Sequence, residues 1–416
     1  MTDAVTEDRT ERWLWITPEI ADDLGTGALK YSHGLASAVA ECGVEVTMVG
    51  VARPTPTRTG GPPAERAIRY ETVDASFRRP WQSLGSSLPN QSFACSVPAV
   101  RARVEQLVEA GGWDVVVIDG LQAAWATPLL EHRRGGARIV HVAHNHESSM
   151  RRHVADAVPW TRPRRPVLEL EARKTERLER RTVRLADVVS SITDDDRSRF
   201  RSMAPNATHV VVPPGWTGTV AAGPVPARER PRRVGILGSF EWHVKQESLR
   251  RFLAAADPVF HDADIELHVA GRIPDEFRRE LAPGLRATRL LGWVDDPAEF
   301  LGDCRIGVVS ESLGGGFKLK ALDYVFNSVP VACLTHNLAG LPLVGGQSAI
   351  TAASEGELAR RIVEAIDDVD LLDRLASSAV RQCEQQFSWG SAARRLIDAV
   401  SAAPEQPATS DDAGGR

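Results

Sequence analysis

The sequence predicts an α/β protein built from two doubly wound parallel sheets, and three observations carry that reading. Short β-branched runs alternate with helical stretches along almost the whole chain. Runs such as VVVI and GVV are continuously apolar, as strands covered by helices on both faces must be. The alternation breaks once, at a Gly-, Pro- and Ala-rich stretch over 217–232, and then restarts. At 416 residues the chain exceeds one core of ordinary size, so two sets of βαβ units imply two domains.

In the first half, strands are expected at Trp13–Thr17, Val44–Val49, Trp113–Asp119, Arg138–His141, Val188–Ile192 and Val210–Val212. In the second they are expected at Val234–Leu237, Ile265–Ala270, Arg289–Leu291, Ile306–Val309 and Val331–Leu334. The domains then span 11–216 and 233–385, joined by a linker at 217–232. A C-terminal helix at 386–403 is expected to pack back on the first domain, with disordered ends at 1–10 and 404–416. The longest helix is expected from Pro166 to Leu185, where Leu168, Ala172, Thr175, Leu178, Thr182 and Leu185 form an inward face. Glu169–Arg173 and Glu176–Arg180 are pairs four residues apart, placed on its other face. With Arg151, Arg152, Arg162, Arg164 and Arg165, the 151–184 region is the most basic in the chain. It reads as a solvated face with a basic loop, or as a patch for an anionic acceptor or a membrane surface.

Composition narrows the function. Hydrophobic content of 43% and charged content of 25% are those of a folded globular protein. A net charge of −5 does not draw the molecule to nucleic acid. Cys42, Cys95, Cys304, Cys333 and Cys383 are odd in number and contain no C-x-x-C pair, which suits reduced thiols in a cytosol. The charged N-terminus has no apolar run and no stretch approaches a membrane span, so a soluble cytoplasmic protein is expected. Of the 50 basic residues only five are lysine: Lys30, Lys174, Lys245, Lys318 and Lys320. In so arginine-rich a chain, a surviving lysine points to a site that needs a compact ammonium.

The most informative segment is ESLGGGFKLKALDYVFNSVPV, from Glu311 to Val331. It follows the strand RIGVV and leads into a helix expected to begin near Lys318. Gly314, Gly315 and Gly316 free three backbone N–H groups at a strand-to-helix turn, a geometry suited to a diphosphate. Lys318 and Lys320 add charge-assisted contacts, and Asp323, one turn past Lys320, is placed to accept from ribose hydroxyls. Asp194, Asp195 and Asp196 follow a strand and read as a helix start, as do Asp296 and Pro297.

The strand followed by GGGFKLKALDYVFNSVPVA resembles the donor-binding signature of retaining glycosyltransferases of the GT-B fold, particularly glycosyltransferase family 4. The resemblance covers nearly the whole chain through four or five short blocks. It implies two Rossmann-like domains facing across a cleft, with a UDP-, GDP- or dTDP-sugar held mainly by the second and an acceptor by the first. No tightly bound cofactor and no metal are implied. The Gly25, Gly27 and Lys30 loop after WLWIT, Ser239 and Lys245 in GILGSFEWHVK, and Gly271 and Arg272 in LHVAGRIP match further donor blocks. Gly314, Gly315, Gly316, Phe317, Lys318, Lys320 and Asp323 complete the donor set. HVAHNHESSMRR resembles the family's His-Asn-x-Glu block, which places His144, His146 and Glu147 near the reacting sugar, with His144 and Glu147 as catalytic or sugar-orienting residues. His144, His146 and His153 also offer three imidazoles, but relatives with this block do not depend on a metal.

The expected reaction is transfer of a sugar to an acceptor hydroxyl with retention of configuration, in natural-product or cell-envelope saccharide biosynthesis. The chain departs from the family at three places. Gly315 stands where many members carry Glu, Asp323 replaces a second Glu, and Ser239 stands where some have Arg. A nucleotide-sugar epimerase and a catalytically degenerate binding subunit are the alternatives. A dehydrogenase is disfavoured, because no G-x-G-x-x-G with a downstream acid follows a strand.

Overall fold

The computed structural model describes residues 10–21, 26–53, 68–218, 225–312 and 317–404. These fall into two compact units. The first holds residues 10–21, 28–213 and 389–404, and the second holds 26–27 and 214–388.

The first unit carries β1 (Arg12–Ala21), β2 (Glu45–Arg53), β3 (Ile68–Val73), β4 (Val115–Asp119), β5 (Arg138–Val142), β6 (Val188–Ser191) and β7 (Thr208–Val211). They form one parallel sheet in the order β3-β2-β1-β4-β5-β6-β7. The second carries β8 (Arg233–Leu237), β9 (Glu266–Ala270), β10 (Thr288–Gly292), β11 (Ile306–Val309), β12 (Val331–Leu334) and β13 (Ile350–Ala352). These pair in parallel in the order β10-β9-β8-β11-β12-β13. Both sheets are doubly wound, and in each the strand order reverses at one place: between β1 and β4, and between β8 and β11. Ligands approach such sheets at the carboxyl ends of the strands flanking the reversal. Central strands are apolar on both faces: all five residues of β4 and all four of β11 are buried.

All eleven expected strands are present, with ends shifted by a few residues. The two unexpected ones, β3 and β13, are edge strands. β3 reads IRYETV and keeps only its first residue buried, while β13 has three residues, so neither presents a long apolar run.

Part of the expected linker is packed rather than free. Arg230 is buried and donates to the carbonyls of Cys304 (3.0 Å) and Asn327 (3.3 Å), holding residues near 230 against the second unit. The C-terminal helix Trp389–Ala402 lies against β6 and β7 of the first unit. Its Trp389 ring fills the space over Gly34, where an added Cβ would come within 2.3 Å.

The longest helix runs Arg165–Leu185. Its inward face is more polar than its apolar spacing suggested. Glu169, expected on the outer face, is buried and takes the guanidinium groups of Arg152 (2.8 Å), Arg173 (3.1 Å) and Arg165 (3.5 Å). Lys174 is buried too, its ammonium 2.7 Å from the Ser83 carbonyl. No described helix is long and apolar enough to cross a membrane.

Candidate active site

Both sheets place a carboxylate just past the reversal. In the first unit it is Asp119, the last residue of β4 and fully buried. The indole N–H of Trp15 on β1 donates to its Oδ2 at 3.0 Å, and His144 Nε2 lies 2.8 Å from its Oδ1. Burial alone would raise the Asp119 pKa, but the His144 contact and charge, with the Trp15 bond, hold it below the ordinary carboxylate value. Nε2 is the ring nitrogen turned to this carboxylate, which leaves Nδ1 as the one to meet a ligand.

His144 follows β5 and is braced on several sides. Ser32 Oγ lies 3.4 Å from Nε2, and the Tyr31 ring meets the imidazole edge-on at 5.4 Å. Tyr31 is itself tied down, its hydroxyl donating to the Val212 carbonyl at 2.8 Å. Gly120 has φ +69°, and a Cβ there would sit 3.8 Å from His144 Nδ1. Glycine thus permits the turn out of β4 and sets no side chain against the Nδ1 edge of His144.

The neighbouring residues expected beside the sugar are placed differently. Glu147 is buried at 6% exposure in the first turn of the helix Glu147–Asp156, its Oε1 3.4 Å from the Asn145 amide. Burial pushes its pKa up. His146 is the N-cap of that helix, accepting from the Ser149 N–H, and its ring packs 4.9 Å from Phe200. Burial lowers its pKa to about 4. The helix start is further held by Glu179, which accepts the backbone N–H groups of Glu147 (2.7 Å) and Ser148 (3.0 Å). Among the described residues no group of three or more His, Cys, Asp and Glu is placed to hold a metal ion.

In the second unit the carboxylate is Glu311, two residues past β11. Its Oε1 lies 2.6 Å from the Lys320 ammonium, and His336 Nε2 lies 2.8 Å from its carbonyl. Burial acts to raise the Glu311 pKa, yet the charges of Lys320, Lys318 and Lys245 overcome it and hold the value near about 2. The lysines oppose one another. The Lys245 pKa is lowered by desolvation and by the charge of Lys320, with Glu311 and Glu241 acting the other way. Lys318 is lowered by desolvation, with Glu311 partly restoring it and the other two ammonium groups lowering it further. Three cations against the carboxylates of Glu311 and Glu241 leave a positive excess at this corner.

The scaffold explains the convergence. Lys245 is the third residue of the helix His243–Asp262, and Lys320 is the first of Lys320–Phe326. That second helix starts two residues later than expected, so Phe317 and Lys318 lie in the approach to it; the Phe317 ring packs tilted at 43° against Phe387, 5.4 Å between centroids. Tyr324 pins the helix beneath the sheet. It receives the Leu237 N–H at 2.9 Å and donates to the Val308 carbonyl at 3.1 Å, which ties β8 to β11 beside the site.

Other expected donor residues have visible local duties. Gly271 has φ +124°, and a Cβ there would fall 1.7 Å from the Gly238 carbonyl oxygen, so only glycine lets the loops after β8 and β9 meet. Arg272 stacks 5.1 Å over the Trp293 ring, and Ser239 Oγ donates to Glu241 at 2.8 Å. Asp323 was expected to face ribose, but its Oδ1 already accepts the Trp216 indole N–H at 2.9 Å. Gly27 opens the helix Gly27–Glu41, and Lys30 is exposed on it in the first unit. Gly25, Gly314, Gly315 and Gly316 lie outside the described residues.

Comparison with known proteins agrees with this layout. Residues 26–215 match the model of the glycosyl transferase 4-like domain, and residues 231–368 that of the glycosyl transferases group 1. No curated protein matches the sequence. Among solved structures, the chain is similar to sucrose-phosphate synthase from Thermosynechococcus elongatus, with TM-score 0.67 and 16% identity over 93% of this chain and 98% of that one. It is similar to HepE of Anabaena in complex with UDP and glucose, with TM-score 0.62 and 14% identity over 94% and 100%. It is also similar to TarM of S. aureus in a complex that includes UDP, with TM-score 0.57 and 14% identity over 73% and 59%.

Proposed function

We propose that this chain, a nucleotide-sugar-dependent glycosyltransferase of the GT-B fold, moves a hexosyl group from a UDP-, GDP- or dTDP-sugar to an acceptor hydroxyl with retention of configuration. The acceptor belongs to natural-product or cell-envelope saccharide chemistry. The observation that carries the reading is the gathering of charge at Glu311, which Lys320 touches and on which Lys318 and Lys245 also act, with Glu241 the other carboxylate bearing on Lys245. Three cations against two carboxylates leave a positive charge over, of the sign a diphosphate needs. When the bond from the anomeric carbon to the diphosphate breaks, its electron pair goes to the leaving oxygen. Ammonium groups already in place stabilise that charge without reorganising. The donor loops at Gly25–Lys30, Ser239, Gly271–Arg272 and Gly314–Phe317 belong to the same proposal.

His144 is the group proposed to orient the sugar. Asp119 holds Nε2, so Nδ1 is the ring nitrogen that hydrogen-bonds a sugar hydroxyl in this proposal. Glu147, the second residue of this proposal, stands buried at the start of the next helix, with one carboxylate oxygen unpartnered.

The test is to supply the three donors in turn with simple hydroxyl acceptors and assign the product's anomeric configuration by proton NMR. An α-linked donor giving an α-linked product is the expected result. An inverted product would remove retention, and the absence of nucleoside diphosphate release from every donor would remove the donor assignment.

A further inference from the structure

We propose that the N-terminal half of the helix Arg165–Leu185, with the turn that packs beside it, is a docking surface for an anionic lipid bilayer. Large apolar side chains scattered singly over a surface need no explanation. Here they are gathered. Of nine exposed large hydrophobic residues among those described, five lie on this helix or on segments beside it: Trp81 (65% exposed), Leu84 (54%), Trp160 (66%), Val167 (46%) and Leu170 (39%).

One contact shows that they form a patch. Lys174 reaches out of the helix to the Ser83 carbonyl, and Ser83 lies between Trp81 and Leu84. On the helix, Leu170 is one turn before Lys174 and Val167 two turns before, so all three share one edge. That bond ties the turn bearing Trp81 and Leu84 to the helix one turn past Leu170. Trp160 sits at the start of the same helix, its ring 4.7 Å from the Arg165 guanidinium.

Charge identifies the occupant. The helix holds seven basic and four acidic residues, a net +3, in a chain whose net charge is −5. The acids are largely spent on the protein itself: Glu169 on three arginines, Glu176 on Arg180 at 2.8 Å, and Glu179 on a helix start. On the exposed face Arg173 is taken by Glu169 and Arg181 by Glu131, while Arg177 and Arg184 stand between them with no ion pair among the described residues. Arg162 and Arg164, next to Trp160, are exposed and make no ion pair among the described residues. Tryptophan rings seated at headgroup depth, flanked by arginines reaching phosphates, are how a protein lies on an anionic bilayer without crossing it. A surface patch meant for a neutral partner has no use for that surplus of guanidinium.

The experiment sediments the full chain with vesicles of phosphatidylcholine alone and with vesicles that also contain phosphatidylglycerol. Binding to the anionic vesicles, weak on the neutral ones and falling with added salt, is expected. Replacing both Arg162 and Arg164 by Ala lowers partitioning roughly 30-fold, at about 1 kcal/mol per arginine. Trp81→Ser with Leu170→Ser also releases the protein, while melting temperature shows that both variants stay folded. No retention on anionic vesicles, or equal retention of wild type and both variants, overturns the proposal. So does a concentration-dependent dimer that Leu170→Ser dissolves, since the face would then belong to a second copy of the chain.

Discussion

Two glutamates, Glu179 in the first unit and Glu311 in the second, are both largely removed from water, and their pKa values move in opposite directions. Burial raises Glu179 to about 7, although Ser148 and two backbone N–H groups donate to it. Burial pushes Glu311 the same way, yet three lysines bring it down to about 2. Hydrogen bonds from neutral donors only soften the cost of burying a carboxylate, whereas full opposite charges reverse it. The first unit fastens backbone with its buried acid. The second has assembled more cation than its own acid can use, which is the electrostatic form of an anion site. Asp119 stands between these cases, kept ionised by one imidazole and one indole.

The largest effect that sharpens this contrast is on stability. Glu179 has a folded pKa above its ordinary value of 4.5, so the folded state takes up the proton first. Its contribution is fully present below about pH 4.5 and is lost as pH rises through about 7, a change of up to about 3 kcal/mol. Urea unfolding across that range should show wild type losing stability and Glu179→Gln following a flatter profile. Glu311 has the opposite sign: its contribution is present above pH 4.5 and lost as pH falls towards about 2.

Next in size, His144→Ala should lower kcat about 100-fold, because a positioned side chain at the reacting group is worth at least that. Steady-state kinetics with KM little changed would agree, and unchanged kcat would take His144 out of the site. Lys320→Ala should lower kcat/KM about tenfold or more, in line with a lost charge-assisted contact. Proton NMR of the Glu311 carboxyl in that variant should also show its pKa rising, since Lys320 is the strongest of the three charges lowering it. The smallest effect is expected from Trp216→Phe, which removes the indole donor to Asp323 and should cost about 1–2 kcal/mol in chemical denaturation.

Much of the fold was legible because buried parallel strands announce themselves as unbroken apolar runs. β4 and β11 were found that way, while β3 escaped because an edge strand such as IRYETV alternates with solvent. The lysines of the second unit were legible from their rarity. Their acidic partner was not: Glu311 opens the glycine-rich segment, but sequence spacing does not show that Lys245, some 66 residues earlier, turns towards it. Asp119 was visible only as a strand end. Its role depends on pairing β4 with β1 and β5, which brings Trp15 and His144 to it from 104 and 25 residues away. The surroundings of Glu147 were not legible either. A His-x-His-Glu run looks like a cluster of site residues, but the chain turns into a helix at His146, which buries the glutamate and spends the histidine on capping.

The central claim is that the lysines around Glu311 hold the donor's diphosphate, and ligand-induced stabilisation tests it most directly. Wild type and a Lys318→Ala/Lys320→Ala variant are melted with UDP, GDP and dTDP. At 100 times its dissociation constant, one of these should stabilise wild type by about 2.7 kcal/mol and leave the double variant at that concentration nearly unmoved. Equal shifts in the two proteins, or no shift from any nucleoside diphosphate, would contradict the account.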